Sequence, residues 1–141
     1  MKNETVISLI SDVSNFNLGI FGISITVFTV LYAFILSRKD SLRDLNDIIK
    51  AGNDSPFLVQ RVSFFSAHTK KWKELNNHLR NIILLSIVFF FIGMAIKYIP
   101  MNCTTKIIAI TIICLTIILS IYISTVLFLV FKNYNKTTKI N

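Results

Sequence analysis

Three long apolar blocks dominate the pattern of hydrophobic and polar positions along the chain. Residues 18–36 and 107–131 contain no charge, and a shorter block at 82–96 continues past Lys97 to Ile99. A helix crosses the hydrocarbon core of a bilayer with roughly 20 apolar residues. None of the blocks alternates between apolar and polar residues, as strands of a membrane barrel do. The pattern predicts an all-α membrane protein with three transmembrane helices.

The residues between the blocks divide the chain further. Val6, Leu9, Ile10, Val13 and Phe16 follow a helical spacing, which favours a short amphipathic helix at the membrane surface over a frayed leader. The predicted segments are an outer N-terminal amphipathic segment (1–17), transmembrane helix 1 (18–37), a cytoplasmic helical connector (38–80), transmembrane helix 2 (81–99), an outer turn (100–106), transmembrane helix 3 (107–131) and a basic cytoplasmic tail (132–141).

The connector carries signals for two helices joined by a tight turn. Gly52 is suited to a left-handed helix cap, and either Asp54 or Ser55 can cap a helix that has Pro56 in its first turn. We therefore expect two long helices that project from the membrane as a cytoplasmic helical hairpin.

The second helix of this hairpin has an apolar face. Leu58, Val62, Phe65, Thr69 and Trp72 begin a heptad-like repeat that continues into the second apolar block. The arms are unequal, because residues 38–50 span about 20 Å of helix and residues 56–80 about 37 Å. The surplus must fold back, pack against other copies or bind a partner, and we favour self-association. The predicted contact residues are Leu58, Val62, Phe64, Phe65 and Trp72.

Charge fixes the expected orientation. Of the 15 basic residues, 12 lie in the connector and the C-terminal tail, against 7 acidic residues in the whole chain. Basic residues concentrate on the cytoplasmic side of membrane proteins, so we expect the N-terminus outside and the C-terminus inside. Because membrane topology explains the basic charge, we do not expect nucleic acid as a partner. The 24 isoleucines and 12 asparagines, against 5 alanines, indicate an AT-rich genome and a bacterial inner membrane.

Signatures of enzymes are missing from the sequence. It contains no phosphate-binding glycine loop and no nucleophile elbow. His68 and His78 are too far apart for a shared metal-binding face, and Cys103 and Cys114 lie about 16 Å apart along a helix. We expect Cys114 to be a small core residue. We expect no enzymatic activity, no cofactor and no metal.

Each apolar block also carries a row of small or hydroxyl residues at helical spacing. Such rows allow helices to pack closely in lipid, or they could line a pore. Three helices cannot enclose a channel alone, so a pore would need a ring of four or more subunits. The rows are Gly22, Thr26, Thr29, Ala33 and Ser37 in the first block, Ser86 and Gly93 in the second, and Ala109, Thr116, Ser120 and Ser124 in the third.

A basic stretch precedes the second block. Lys70, Lys71, Lys73 and Arg80 are candidates for contact with anionic lipid or with a cytoplasmic protein or trigger. The simpler interpretation is anchoring at the membrane surface, with Trp72 packed on Leu42 or Leu45.

In topology the chain resembles the three-helix holins of phages and the small membrane effectors of bacterial anti-phage systems. The resemblance implies an oligomer that forms or gates a pore and alters membrane permeability, as a toxin-like or defence effector. The long connector departs from holins, whose loops are short, and favours an effector with a sensing part. The alternative is a non-pore accessory protein whose connector docks a soluble partner.

Overall fold

The structure is a computed structural model that describes residues 3–52 and 55–138, with side chains as far as residue 135. It consists of three helices: α1 (Asn3–Lys50), α2 (Pro56–Ile96) and α3 (Cys103–Thr138). Each is long and apolar enough to cross a membrane. The predicted all-α class with three such helices is confirmed.

Helix α1 is continuous through the boundary at residue 17 where the sequence suggested two separate segments. Its 48 residues contain no proline, and its buried face runs without interruption from Val6 through Ile10 and Asn17 to Leu31. The expected surface helix is therefore the first part of α1. Its apolar face is narrower than predicted, because Leu9 and Phe16 are exposed.

The turn between α1 and α2 has the predicted chemistry. Gly52 adopts a φ of 94°, in the left-handed region that favours glycine, and its N–H donates to the carbonyl of Ile49 at 3.1 Å. Ser55 is the N-cap of α2 and accepts a hydrogen bond from the N–H of Leu58 at 3.3 Å, with Pro56 following it. Asp54, the other predicted cap, lies outside the described residues.

Helices α1 and α2 pack antiparallel in a single register. Arg38 lies over the ring of Phe65, Phe34 contacts Trp72, and Ser14 contacts Gly93. Residues progressively earlier in α1 therefore contact residues progressively later in α2. The unequal arms need neither folding back nor a second copy. Instead the apolar blocks themselves are staggered by about twelve residues, or about 18 Å.

Helix α3 packs against both partners through two apolar clusters. In the first, Leu119 and Ile123 pack with Ile20, Leu79 and other residues of α1 and α2. In the second, Ala109 and Ile112 join Val6, Ile10 and Ile96 at the opposite end of the bundle. Because α3 ends at Thr138, the tip of the α1–α2 hairpin extends about 17 Å beyond it.

Helices α1 and α2 lie close together at Gly93. A Cβ atom at this position would overlap the Oγ of Ser14, which donates a hydrogen bond to the carbonyl of Ile10 at 2.7 Å. By contrast, a Cβ at Gly22 would meet no described atom within 4 Å. Gly93 therefore sets the distance between the two helices, whereas Gly22 leaves it unaffected.

The substitution Gly93→Val should destabilise the bundle by about 1–3 kcal/mol, the usual effect of overpacking an interior contact. Gly22→Val is the matched control and should change stability little beyond its helix propensity. Unfolding in mixed detergent micelles measures both. The double variant Ser14→Gly with Gly93→Val should regain stability, and equal destabilisation by both glycine variants would contradict this account.

Candidate functional site

A row of polar side chains lies inside the bundle where α1 meets α2 and α3. Ser14, Asn17 and Ser24 of α1, Ser86 of α2 and Thr116 of α3 are all buried. Small polar residues at such positions let helices approach closely and form hydrogen bonds across the interface.

Asn17 is the centre of this row. Its Nδ2 donates to the carbonyl of Val13 at 3.0 Å and to the Oγ1 of Thr116 at 2.9 Å, which links α1 to α3. Its Oδ1 and the Oγ of Ser24 have no hydrogen-bond partner among the described residues. Buried polar atoms without partners are costly. The interface therefore gains specificity from the bond to Thr116 at some expense of stability.

The small-residue row of α2 belongs to this interior. Ser86 is fully buried and donates to the carbonyl of Ile83 at 3.0 Å, and Gly93 faces Ser14. Within one subunit, both residues therefore serve helix packing.

The row of small and hydroxyl residues on α1 lies on the surface of the subunit rather than in its interior. Its five members are exposed on the outer surface of the helix, and the hydroxyls of Thr26 and Thr29 donate to their own helix at Gly22 and Ile25. Such internally bonded hydroxyls tolerate lipid and still offer their oxygen lone pairs to a cation or to a neighbouring helix. The exposed residues are Gly22, Thr26, Thr29, Ala33 and Ser37.

The row of α3 crosses from the interior to the surface. Ala109 and Thr116 are buried, Ser120 is half-buried, and Ser124 is exposed and donates to the carbonyl of Ser120 at 2.9 Å. The row therefore leaves the core along one flank of α3, next to α1.

A shallow groove between α1 and α3 follows that flank. Its first part, about 480 Å³, is lined by Asp12 and Phe16 of α1 and by Thr116 and Ser120 of α3. A separate, more open depression on α3 alone shares Ser120 with this groove and reaches Ser124 and Thr125. Both linings are largely apolar, and their polar groups are the Asp12 carboxylate at one end and a track of hydroxyls along α3.

The structure places most of the predicted contact residues of the connector against α1. Leu58, Val62 and Phe65 are half-buried on one face of α2, and Trp72 is buried. Phe64 is 45% exposed and packs edge-on against His68. Much of the apolar surface that suggested self-association is thus covered within the subunit.

Trp72 packs against Phe34, with ring centroids 5.5 Å apart, rather than against Leu42 or Leu45. The register explains the difference, since Trp72 lies sixteen residues into α2 and meets α1 at the corresponding distance from the turn. Arg38 lies beside this pair, with its Cζ 5.1 Å from the ring centroid of Phe34 and 5.0 Å from that of Phe65.

The remaining candidates lie on the surface. Cys114 is exposed, so its assignment to the core was wrong, and both cysteines are free.

His78 Nδ1 and the Tyr122 hydroxyl are 2.6 Å apart, which joins α2 to α3. Among the described residues, no group of three or more His, Cys, Asp or Glu side chains could hold a metal ion. The predicted lipid or anion contacts Lys70, Lys71, Lys73 and Arg80 are all exposed.

The residues missed in the sequence include Asp12, Ser14, Asn17, Ser24, Arg38 and Tyr122. Ser14, Asn17 and Ser24 could have been found, because they keep a helical spacing with Ile10 once small polar residues are accepted in a buried face. Asp12, Arg38 and Tyr122 depend on the register between helices, which the pattern of a single helix does not encode.

Comparison of the chain with protein-family models, curated proteins and solved structures finds no match. Its function must therefore be argued from its own residues.

The hydrogen bond between Asn17 and Thr116 should be measurable as a coupling energy. A double-mutant cycle with Asn17→Leu and Thr116→Val should give about 0.6–1.7 kcal/mol in detergent unfolding, the range found for bonds between membrane helices. The control cycle with Thr29→Val and Thr125→Val should give a coupling near zero, because both hydroxyls bond to their own helices. Additive effects of the first pair would contradict the assignment.

Proposed function

We propose that the chain is a small oligomeric integral membrane protein that forms or gates a pore and so alters membrane permeability. It would lie in a bacterial inner membrane, with its N-terminus outside and the hairpin tip in the cytoplasm. The proposal rests first on the groove between α1 and α3, which holds Asp12 and Ser120, and on the neighbouring depression of α3, which holds Ser120 and Ser124.

The Asp12 carboxylate and the hydroxyls of Ser120 and Ser124 are the groups of this surface that suit ions rather than lipid. A hydroxyl track provides oxygen ligands for water and cations, and rings of Phe or Ile can close such a path by dewetting. Asp12 would form a ring of carboxylates at the outer mouth of an assembled pore, an arrangement that favours cations.

The exposed surface also supports assembly. Outside the interior row, α1 presents Gly22, Thr29 and Ala33 on an exposed face. A small-residue face on one helix can receive the neighbouring subunit, while the groove on α3 points toward the axis of the ring. Such a head-to-tail contact closes into a ring when the rotation per subunit permits.

Charge and hairpin length support the regulatory part of the proposal. The α1–α2 tip extends beyond α3 and carries three of the nine basic residues of the connector, Arg43, Lys50 and Arg61. A projecting tip can sense a cytoplasmic trigger while the membrane part responds, as in the toxin-like and defence effectors that the topology resembles.

Replacing groove hydroxyls should block permeation without preventing insertion. In liposomes, Ser120→Leu and Ser124→Leu should each reduce conductance and dye release severalfold, because they narrow and dry the track. Thr111→Leu is the matched control: its hydroxyl also bonds to its own helix, at Ile107, but lies on the other flank of α3. Equal release from all three variants, or a monomer or dimer in nanodiscs in place of a ring of four or more, would overturn the pore.

The hairpin tip supports a second candidate, a non-pore accessory protein that docks a soluble partner. Phe57 is 69% exposed and Val59 53% exposed near the start of α2, well beyond the end of α3. Large exposed apolar side chains outside the membrane mark interaction surfaces.

Phe57→Ser together with Phe64→Ser should abolish in-cell cross-linking of a soluble protein to the tip, because both exposed rings would be lost. Phe128→Ser, an equally exposed ring on α3, should leave the cross-link intact. A tip that cross-links to no soluble protein in the unaltered chain would remove this alternative.

A further inference from the structure

A second, largely apolar groove, which Thr26 borders, lies where all three helices meet near the end of α3. Val30 and Leu31 of α1 and Leu127 and Phe131 of α3 form its walls, and Phe34 and Trp72 lie at one end. Its volume of about 360 Å³ falls in the range of ligand sites, roughly 300–1,000 Å³. The groove is open along its length, as a site for a flexible chain must be.

Positive charge is concentrated beside this groove. Phe34 and Trp72 also border the pocket that contains Arg38, so two aromatic rings separate the guanidinium from the groove. The Cζ of Arg61 lies 5.5 Å from the ring of Phe65, the same ring over which Arg38 lies. Two cations thus converge on one aromatic side chain.

Arg38 makes no hydrogen bond to any of the described residues. Within the described part of the chain its contacts are the ring faces of Phe34 and Phe65, and it forms no ion pair or hydrogen bond there. Ring faces stabilise the charge of a guanidinium, but its in-plane N–H donors are suited to a phosphate or carboxylate.

We propose that this junction is a binding site for an anionic glycerophospholipid. An acyl chain occupies the groove between α1 and α3, and the headgroup phosphate accepts hydrogen bonds from Arg38. Trp72 lies between them, at the depth where tryptophan concentrates in membrane proteins. Lys70, Lys71 and Lys73, exposed on the turn of α2 that holds Trp72, raise the local concentration of anionic lipid.

The adjacency of groove and charge favours a lipid over the other possible occupants. Free phosphate would use the guanidinium and leave the groove empty. A second copy of the chain would cover the groove with apolar side chains and has no need of a cation beside it. Only an amphipathic anion uses both features, and the site requires membrane insertion but not ion conduction.

Native mass spectrometry of the full chain, released from micelles containing phosphatidylglycerol and phosphatidylcholine with matched acyl chains, tests the site. Arg38→Gln should reduce retention of phosphatidylglycerol relative to phosphatidylcholine about fivefold, the effect of one basic side chain near an anionic surface. Arg43→Gln, an exposed arginine on the same helix, is the control and should change this ratio much less.

Filling the groove tests the position of the acyl chain. Val30→Trp should reduce retention of both lipids, whereas Val88→Trp on the exposed surface of α2 should not. Helix content by circular dichroism confirms that each variant folds. Equal retention of the two lipids by the unaltered chain, displacement by excess inorganic phosphate, or a Val30→Trp variant that changes subunit number but not lipid retention would each overturn the proposal.

Discussion

The antiparallel pairing of α1 with α2 is the constraint on which the rest of the bundle depends. Its register begins at the left-handed Gly52 and is still maintained at the contact between Ser14 and Gly93, near the far end of α2. Because both helices are long and continuous, neither can slide without losing every contact between them. Helix α3 packs against this pair. The hydrogen bond that Asn17 donates to Thr116 fixes the position of α3 along the bundle axis.

This register separates the polar residues into two kinds. Ser86, Gly93, Thr116 and Asn17 lie between helices, where small size and hydrogen bonding determine how closely the backbones approach. The hydroxyl row of α1 and the end of the α3 row face outward, where they have no such role within one subunit. The residues that pack the helices within the subunit therefore differ from those that lie on its surface, although the rows look alike in the sequence.

The sequence predicted what local chemistry determines. The three apolar helices, the cap at Gly52 and the start at Ser55 each depend on residues close in the chain, and all are observed. What depends on the pairing of distant helices was not predictable from one helix at a time. The packing of Trp72 on Phe34 and the exposure of Cys114 both follow from this pairing, which no single periodic pattern encodes.

The stagger between the apolar blocks has a consequence for the surrounding bilayer. A molecule whose hydrophobic belt lies at different heights on neighbouring helices has no uniform hydrophobic thickness, so lipids must thin or the bundle must tilt to cover it. The energy of that mismatch changes with the thickness of the membrane. In a bilayer, such a belt would couple the tilt of the protein to membrane thickness, so that stretching or thinning the membrane would shift the preferred tilt even when no ligand binds.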